Sequence, residues 1–298
     1  MTLAVMFRGV PPGPYVDEAI ERVVQVDEHT RVTVLENELV GGPTVVFVHG
    51  LTSSASAPMT TGYGRALHQR GFRTVRLNQR NFGGTEHLSP TLSHAGLVDD
   101  LAAVVRDEVA NHPGRPIYLA GFSMGGNVVL RYLGLGLAPD EVQGAATTSA
   151  AVDLGAAAKS LPWIYDRYFV RELTAMYCRK ASLYPERYQP EDMAGVRTVR
   201  GFDAAAVVPC FGFADVDDYY TRASSLPVLH RIDRPCLLLV SDDDPIVPVS
   251  SFDDPVFEGA QFTVERTRFG GHVGWIGPGP TYWAEAFLAD WLARLASD

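Results

Sequence analysis

The sequence predicts an α/β fold: a mostly parallel central sheet with flanking helices, and a helical cap inserted after the sixth strand. Three observations carry this expectation. Short apolar, β-branched runs (TVVFV, PIYLAGF, VQGAATTSA, CLLLV) alternate with helix-period segments, as a sheet covered on both faces requires. The alternation breaks over residues 153–225, where aromatics, arginines and prolines accumulate without a buried-strand pattern. It then resumes and runs to a final amphipathic helix. The expected organisation is one domain over residues 1–298, with the cap at 153–225 as an insertion within it. A chain of 298 residues, 46% apolar and 20% charged, can bury one large core.

The elements follow in order. ERVVQV and TRVTVLEN alternate apolar and polar residues on either side of residues 27–29 and read as a hairpin. TVVFVHG is a β-branched run stopped by glycine, suited to a strand buried on both faces. Next come a helix around residues 63–70, the strand RTVRLNQR, a helix over about 97–109 and the strand PIYLAGF. A helix opening at Ser123 leads to VQGAATTSA. Inside the cap, DRYFVRELTAMYCRK and DVDDYYTRASS have helical character, and LPWIYDRYFV suits either an acyl-chain pocket or the cap's own core. PCLLLVSDDDPIVP and FTVERTRFGGHVGW supply the last strands, and TYWAEAFLADWLARLA the closing helix.

Composition narrows the function. A net charge of -10, from 25 basic and 35 acidic residues, argues against nucleic acid as a partner, since phosphate binding needs a basic face. No Lys/Arg cluster reads as a stable membrane anchor. The opening MTLAVMFRGVPPGPY lacks a positive start, and Arg8 and two prolines cut its apolar run short. Neither a signal peptide nor a span is expected there, and the cytoplasm is the default compartment. Cys178, Cys210 and Cys236 are odd in number and widely spaced, without a metal-ligand pattern. Neither a disulfide framework nor a metal site is expected, and the cysteines read as buried small hydrophobes.

The segment GFSMGGN, between an apolar strand and a helix, carries the chemistry. Gly121-Phe122-Ser123-Met124-Gly125 is G-x-S-x-G, a nucleophile elbow in which small residues let neighbouring backbone pass a strained serine turn. A serine hydroxyl needs a base, itself oriented by an acid, and in this arrangement acid and then histidine follow in loops after later strands. SDDDPIVP supplies the acid and GGHVGW supplies His272, in that order. The oxyanion hole is assigned to the backbone N–H groups of Leu51, in HGLTSS after TVVFV, and of Met124. His49 is read as holding that loop by hydrogen bonds, without a role in proton transfer.

These motifs resemble the α/β-hydrolase superfamily over residues 43–296. Further stretches, HGLTSSASAPM, LNQRNFGGTEHLSPTLSHAGLVDDL, GFSMGGNVVLRYLG and GFADVDDYYTRASSLPVL, resemble the YheT-like esterase group related to the abhydrolase-domain lipases. The resemblance implies a serine esterase of carboxylic esters with no cofactor. Its small-molecule substrate would carry a hydrophobic acyl or alcohol group. It also fixes a choice that adjacency alone leaves open among Asp242, Asp243 and Asp244. Related hydrolases hold the acid ahead of a V-P pair, here Val247-Pro248, which implies Asp244, with Asp243 as runner-up. Pro245 supports this by restricting Asp244 to extended conformations. The group further shows H-x-x-x-x-D, here His94 to Asp99, sometimes read as an acyltransferase signature. In this sequence Ser93 or His94 is expected to start a helix whose early turns hold Asp99 and Asp100. Arg80 is expected to order the rim. Acyl transfer or thioester cleavage on the same triad, and ligand binding without turnover, are the alternative functions.

Overall fold

The computed structural model describes residues 13–276 and 282–297; the reading of residues 1–12 lies outside them. Eight strands form one sheet: β1 (Ile20–Gln25), β2 (Arg31–Asn37), β3 (Thr44–Val48), β4 (Arg73–Asn78), β5 (Ile117–Phe122), β6 (Val142–Thr148), β7 (Cys236–Ser241) and β8 (Phe262–Thr267). Their order is β1-β2-β4-β3-β5-β6-β7-β8. β2 pairs antiparallel with β1 and β4, and all other neighbours are parallel. β3, β4, β5 and β7 are buried along their whole length; β3, β5 and β7 accordingly read as apolar runs, whereas β4 buries Arg73 and Arg76 on hydrogen-bond and ion-pair partners.

The period of two in a strand divides their side chains between two cores. Val45 and Phe47 of β3 and Tyr118 and Ala120 of β5 pack with Tyr63 and Leu67 of α1 (Pro58–Gln69) on one face. Val46, Val48, Ile117 and Leu119 point the other way, to Leu101 and Val104 of α2 (Asp99–Asn111) and Val128 and Leu130 of α3 (Met124–Gly134). Between β6 and β7 come α4 (Leu154–Ser160), α5 (Trp163–Leu183), an irregular helical stretch and α6 (Val216–Ala223). The closing helix, α7 (Trp283–Leu295), joins the α1 face through Leu288 and Leu292. Among the described residues, no helix is long and apolar enough to cross a membrane.

The irregular stretch has an identifiable cause. It runs as α-helix over Val199–Phe202, widens to a π turn over Asp203–Val207 and returns to α over Val208–Phe211. Pro209 has no N–H to give the carbonyl of Ala205, and Val208 N donates instead to Asp203 O, five residues back. The cap is tied down by a buried cation. Lys180 on α5 donates to Asn81 Oδ1 at 2.6 Å, to Glu86 O at 3.0 Å and to Ser89 O.

Three local expectations are corrected. The helices expected around residues 63–70 and 97–109 are Pro58–Gln69 and Asp99–Asn111. Neither Ser93 nor His94 starts a helix, because Val98 is the N-cap of α2. Residues 93–97 are held as a loop by tertiary bonds: Ala95 N donates to Tyr219 Oη and Asn127 Nδ2 to Ala95 O, both at 2.9 Å. Of the cysteines only Cys236 is buried. Cys178 is half-buried and Cys210 is exposed.

Candidate active site

β5 ends at Phe122 and α3 begins at Met124, so Ser123 alone makes the turn, with φ 54° and ψ -124°. This is a left-handed conformation that costs a residue with a Cβ on the order of 1–3 kcal/mol. The surrounding backbone holds it: Ser123 N donates to Thr148 O at 3.0 Å, and Ser123 O accepts from Ala151 N and Asn127 N, both at 3.2 Å. The glycines of the elbow are required by contact. A Cβ on Gly125 would lie 2.2 Å from Val48 O and 2.5 Å from His49 O, and one on Gly121 would lie 2.8 Å from Gly125 O.

The Ser123 hydroxyl lies 2.9 Å from His272 Nε2, and His272 Nδ1 lies 3.0 and 3.1 Å from the two carboxylate oxygens of Asp244. With Nδ1 donating to the carboxylate, Nε2 is left to accept from the serine. Burial by itself would raise the Asp244 carboxyl. The charge and hydrogen bond of His272, with the Val247 and Ile246 amides at 2.9 Å, hold it below its ordinary value instead. The three adjacent aspartates divide their work. Asp244 faces His272, Asp243 accepts from Gly270 N at 2.8 Å and Gly271 N at 2.7 Å, and Asp242 pairs outside with Arg266 at 2.5 Å. Asp243 therefore pins the loop that presents His272. Ser241 Oγ adds a bond to Gly271 O at 2.9 Å, and Trp275 Nε1 donates to Thr267 Oγ1 at 2.8 Å.

The N–H groups of Leu51 and Met124 have no acceptor among the described residues. Both residues line the cavity that contains Ser123, and Met124 stands at the N-terminal end of α3, where the helix dipole favours negative charge. His49 does not reach the serine. Its Nδ1 donates to Gly50 O at 2.8 Å, and its Nε2 accepts from Gln79 N at 3.3 Å. Complete burial lowers its imidazole to about 4, so it is a neutral strut for the loop that carries Leu51.

Residues 43–267 match the family described as alpha/beta hydrolase fold. The chain belongs to this family. Among α/β-hydrolases it is 31% identical over 260 residues to the Escherichia coli (strain K12) protein "Putative esterase YheT", spanning 84% of this chain and 76% of that one. It is 28% identical over 240 residues to Phospholipase ABHD3 of Mus musculus, covering 78% of this chain and 58% of that protein. The chain therefore spans little more than half the length of that relative. The solved esterase Pf2001 of Pyrococcus furiosus shares the fold, with a TM-score of 0.64 and 18% identity over 96% of this chain and 98% of that one.

Two cavities of this α/β-hydrolase meet at Ser123. One runs beneath the cap and is lined largely by apolar residues, among them Leu154, Leu161, Phe169 and Met176. The other runs along the Leu51 loop and is lined also by Met59, Tyr168 and His272. Of LPWIYDRYFV, Leu161 and Phe169 line the first cavity, Tyr165 and Val170 are buried in the core, and Trp163 and Ile164 are exposed. The segment therefore contributes both to a cavity wall and to the core.

Of the H-x-x-x-x-D pair, His94 lines the cavity under the cap, whereas Asp99 is exposed in the first turn of α2. The neighbouring Asp100 is the buried acid. It accepts from Arg80 N and Nε at 2.9 Å and from Arg80 Nη2 at 2.6 Å, so Arg80 orders the loop as expected. Sequence reasoning missed Lys180, Asn127 and Asp203. Asn127 ties α3 to the loop at Ala95 and to the end of the cap, through bonds of 2.9 Å to Ala95 O, 3.0 Å to Ala223 O and 2.7 Å from Ser225 N. The signal for Asp203 was Pro209 inside a helical pattern, which forces the π turn that presents it.

Proposed function

We propose that this α/β-hydrolase cleaves carboxylic esters as a serine esterase with an acyl-enzyme intermediate. The single observation that carries the reading is the unbroken hydrogen-bonded relay from the Ser123 hydroxyl through His272 to Asp244. Ser123 Oγ attacks the ester carbonyl carbon as its proton passes to His272 Nε2. The carbonyl oxygen takes up the negative charge and is received by the Leu51 and Met124 amides. Asp244, held anionic, stabilises the imidazolium through Nδ1. Collapse of the tetrahedral intermediate breaks the C–O bond, and His272 returns the proton to the leaving alcohol. Water, deprotonated by the same Nε2, attacks the acyl-serine, and the acid departs with Ser123 regenerated.

The largely apolar lining under the cap supports a hydrophobic acyl group, and the cavity on the His272 side supports an alcohol leaving from there. The names of the relatives, esterase and phospholipase, denote cleavage of ester bonds, which supports the same reaction class. The test is active-site labelling with a fluorophosphonate together with turnover of p-nitrophenyl esters. Label on Ser123 in parallel with loss of turnover is the expected result. Ester turnover that survives complete labelling contradicts the reading.

A further inference from the structure

The cavity under the cap has a polar end that the relay does not use. His94, Asp203 and Tyr219 are among its lining residues, and a run of contacts from His94 to Tyr219, Tyr219 to Tyr220 and Tyr220 to Asp203 joins them. His94 Nδ1 accepts from Gly96 N at 3.2 Å, so a neutral ring carries its proton on Nε2, and that N–H has no acceptor among the described residues. Burial, with the positive charges of Arg131, Arg80 and Arg222, lowers the imidazole to about 4 and keeps it neutral. Phe211, Phe213 and Tyr219 stand edge-on to it, with centroids at 4.5, 5.5 and 5.8 Å, and fix its orientation. Asp203 is 7% exposed and sits on the π turn. Tyr220 Oη donates to its Oδ2 at 2.7 Å, while Oδ1 has no donor among the described residues. A donor and an acceptor that face the cavity without a partner among the described residues are open to a ligand that supplies both.

Hydrogen bonds locate this end relative to the nucleophile. Asn127, one helical turn beyond Ser123, holds Ala95 next to His94, and Ala95 N donates to Tyr219 Oη, adjacent to the Tyr220 that binds Asp203. We infer that the His94–Asp203 end of the cavity is a subsite for a hydroxyl group on the acyl chain, which makes hydroxyacyl esters the preferred substrates. The hydroxyl oxygen accepts from His94 Nε2–H, and its O–H donates a hydrogen bond to Asp203 Oδ1. A plain alkyl chain leaves both groups unpaired, the situation in which a binding site discriminates most strongly. The inference rests on the serine-esterase reading.

The experiment compares methyl octanoate with methyl 3-hydroxyoctanoate and methyl 7-hydroxyoctanoate. Turnover is followed by pH-stat, and binding of the same three esters to Ser123→Ala by calorimetry. At least one hydroxy ester is expected to exceed the plain ester about tenfold or more in kcat/KM and in affinity. His94→Phe, which keeps a flat ring and removes the donor, is expected to bring that ratio to about one or below. His94→Gln, which keeps an N–H, is expected to retain part of it. Equal kcat/KM and equal affinity for all three esters overturn the subsite, as does an undiminished ratio in a folded His94→Phe. If no ester is turned over, the serine-esterase reading fails separately, and the affinities in Ser123→Ala alone decide whether the hydroxyl is recognised.

Discussion

Replacing Asp244 by Asn changes one atom and inverts the relay. Asp244 Oδ1 accepts from the amides of Ile246 and Val247, both at 2.9 Å, and an amide nitrogen cannot take that place. The Asn oxygen must therefore occupy the Oδ1 position, which leaves its NH2 at Oδ2, 3.0 Å from His272 Nδ1. An NH2 there donates, while the oxygen kept at the Oδ1 position, 3.1 Å from Nδ1, is already engaged by the two amides; Nδ1 becomes the acceptor, the ring proton moves to Nε2, and Nε2 no longer accepts the proton of Ser123. Loss of the proper tautomer in a serine triad costs about 10⁴-fold in kcat, or about 5.4 kcal/mol of transition-state stabilisation. The control is Asp243→Asn. Both amide bonds of Asp243, from Gly270 and Gly271, go to the same oxygen, so an Asn keeps them and loses only their charge. That variant should stay within about tenfold of wild-type kcat while losing roughly 1–2 kcal/mol of stability. The assay is steady-state hydrolysis of p-nitrophenyl butyrate by both variants, with thermal melts to match their folding. A folded Asp244→Asn that keeps a tenth of the activity, or an Asp243→Asn that falls as far as Asp244→Asn, refutes the reasoning.

Burial, opposed by the Tyr220 hydrogen bond and Arg200, raises the Asp203 carboxyl from its ordinary 3.8 to about 7, so the native state holds this proton more tightly than the unfolded chain. Its contribution to stability is therefore greatest below pH 4, falls as pH rises to about 7 and is flat above that, with a total cost of roughly 4 kcal/mol as an upper bound. Asp203→Asn, with no proton to lose, should melt near wild type at pH 4 and several degrees above it at pH 8; a difference in Tm that does not grow with pH contradicts this. Gly125→Ala forces a Cβ to within 2.2 Å of Val48 O, backbone that cannot yield, and should prevent accumulation of folded protein. Normal solubility and an unchanged melt would show that the elbow has room the geometry denies.

The parts of this α/β-hydrolase that were legible in the sequence are those set by local rules. Strands buried on both faces must be continuous apolar runs, and a serine held in a left-handed turn against passing backbone must have glycines beside it, so TVVFV and GFSMGGN could each be recognised alone. The aspartate that faces His272 was singled out by the resemblance to related hydrolases, which hold the acid ahead of a V-P pair, with the restriction that Pro245 puts on Asp244 in support. What stayed hidden depends on partners far away in the chain. His94 was expected at a helix start because local rules favour it there, yet bonds from Tyr219 and Asn127, more than thirty residues distant, hold its neighbour in a loop. Lys180 and Asp203 look like surface charges in sequence. Burial of the first rests on three acceptors in the loop spanning residues 81–89, and burial of the second on the turn that Pro209 imposes.

The most direct test of the central claim, that Ser123 is acylated by the substrate, is rapid acid quench of the enzyme turning over p-nitrophenyl octanoate, followed by mass analysis of its peptides. The account predicts an octanoyl group on the peptide containing Ser123, approaching one per chain at early times. It also predicts that Ser123→Ala, with an unchanged melt, shows no adduct and a kcat lower by a factor on the order of 10⁶. Steady ester turnover with no adduct on that peptide, or a folded Ser123→Ala that keeps a tenth of the activity, contradicts it.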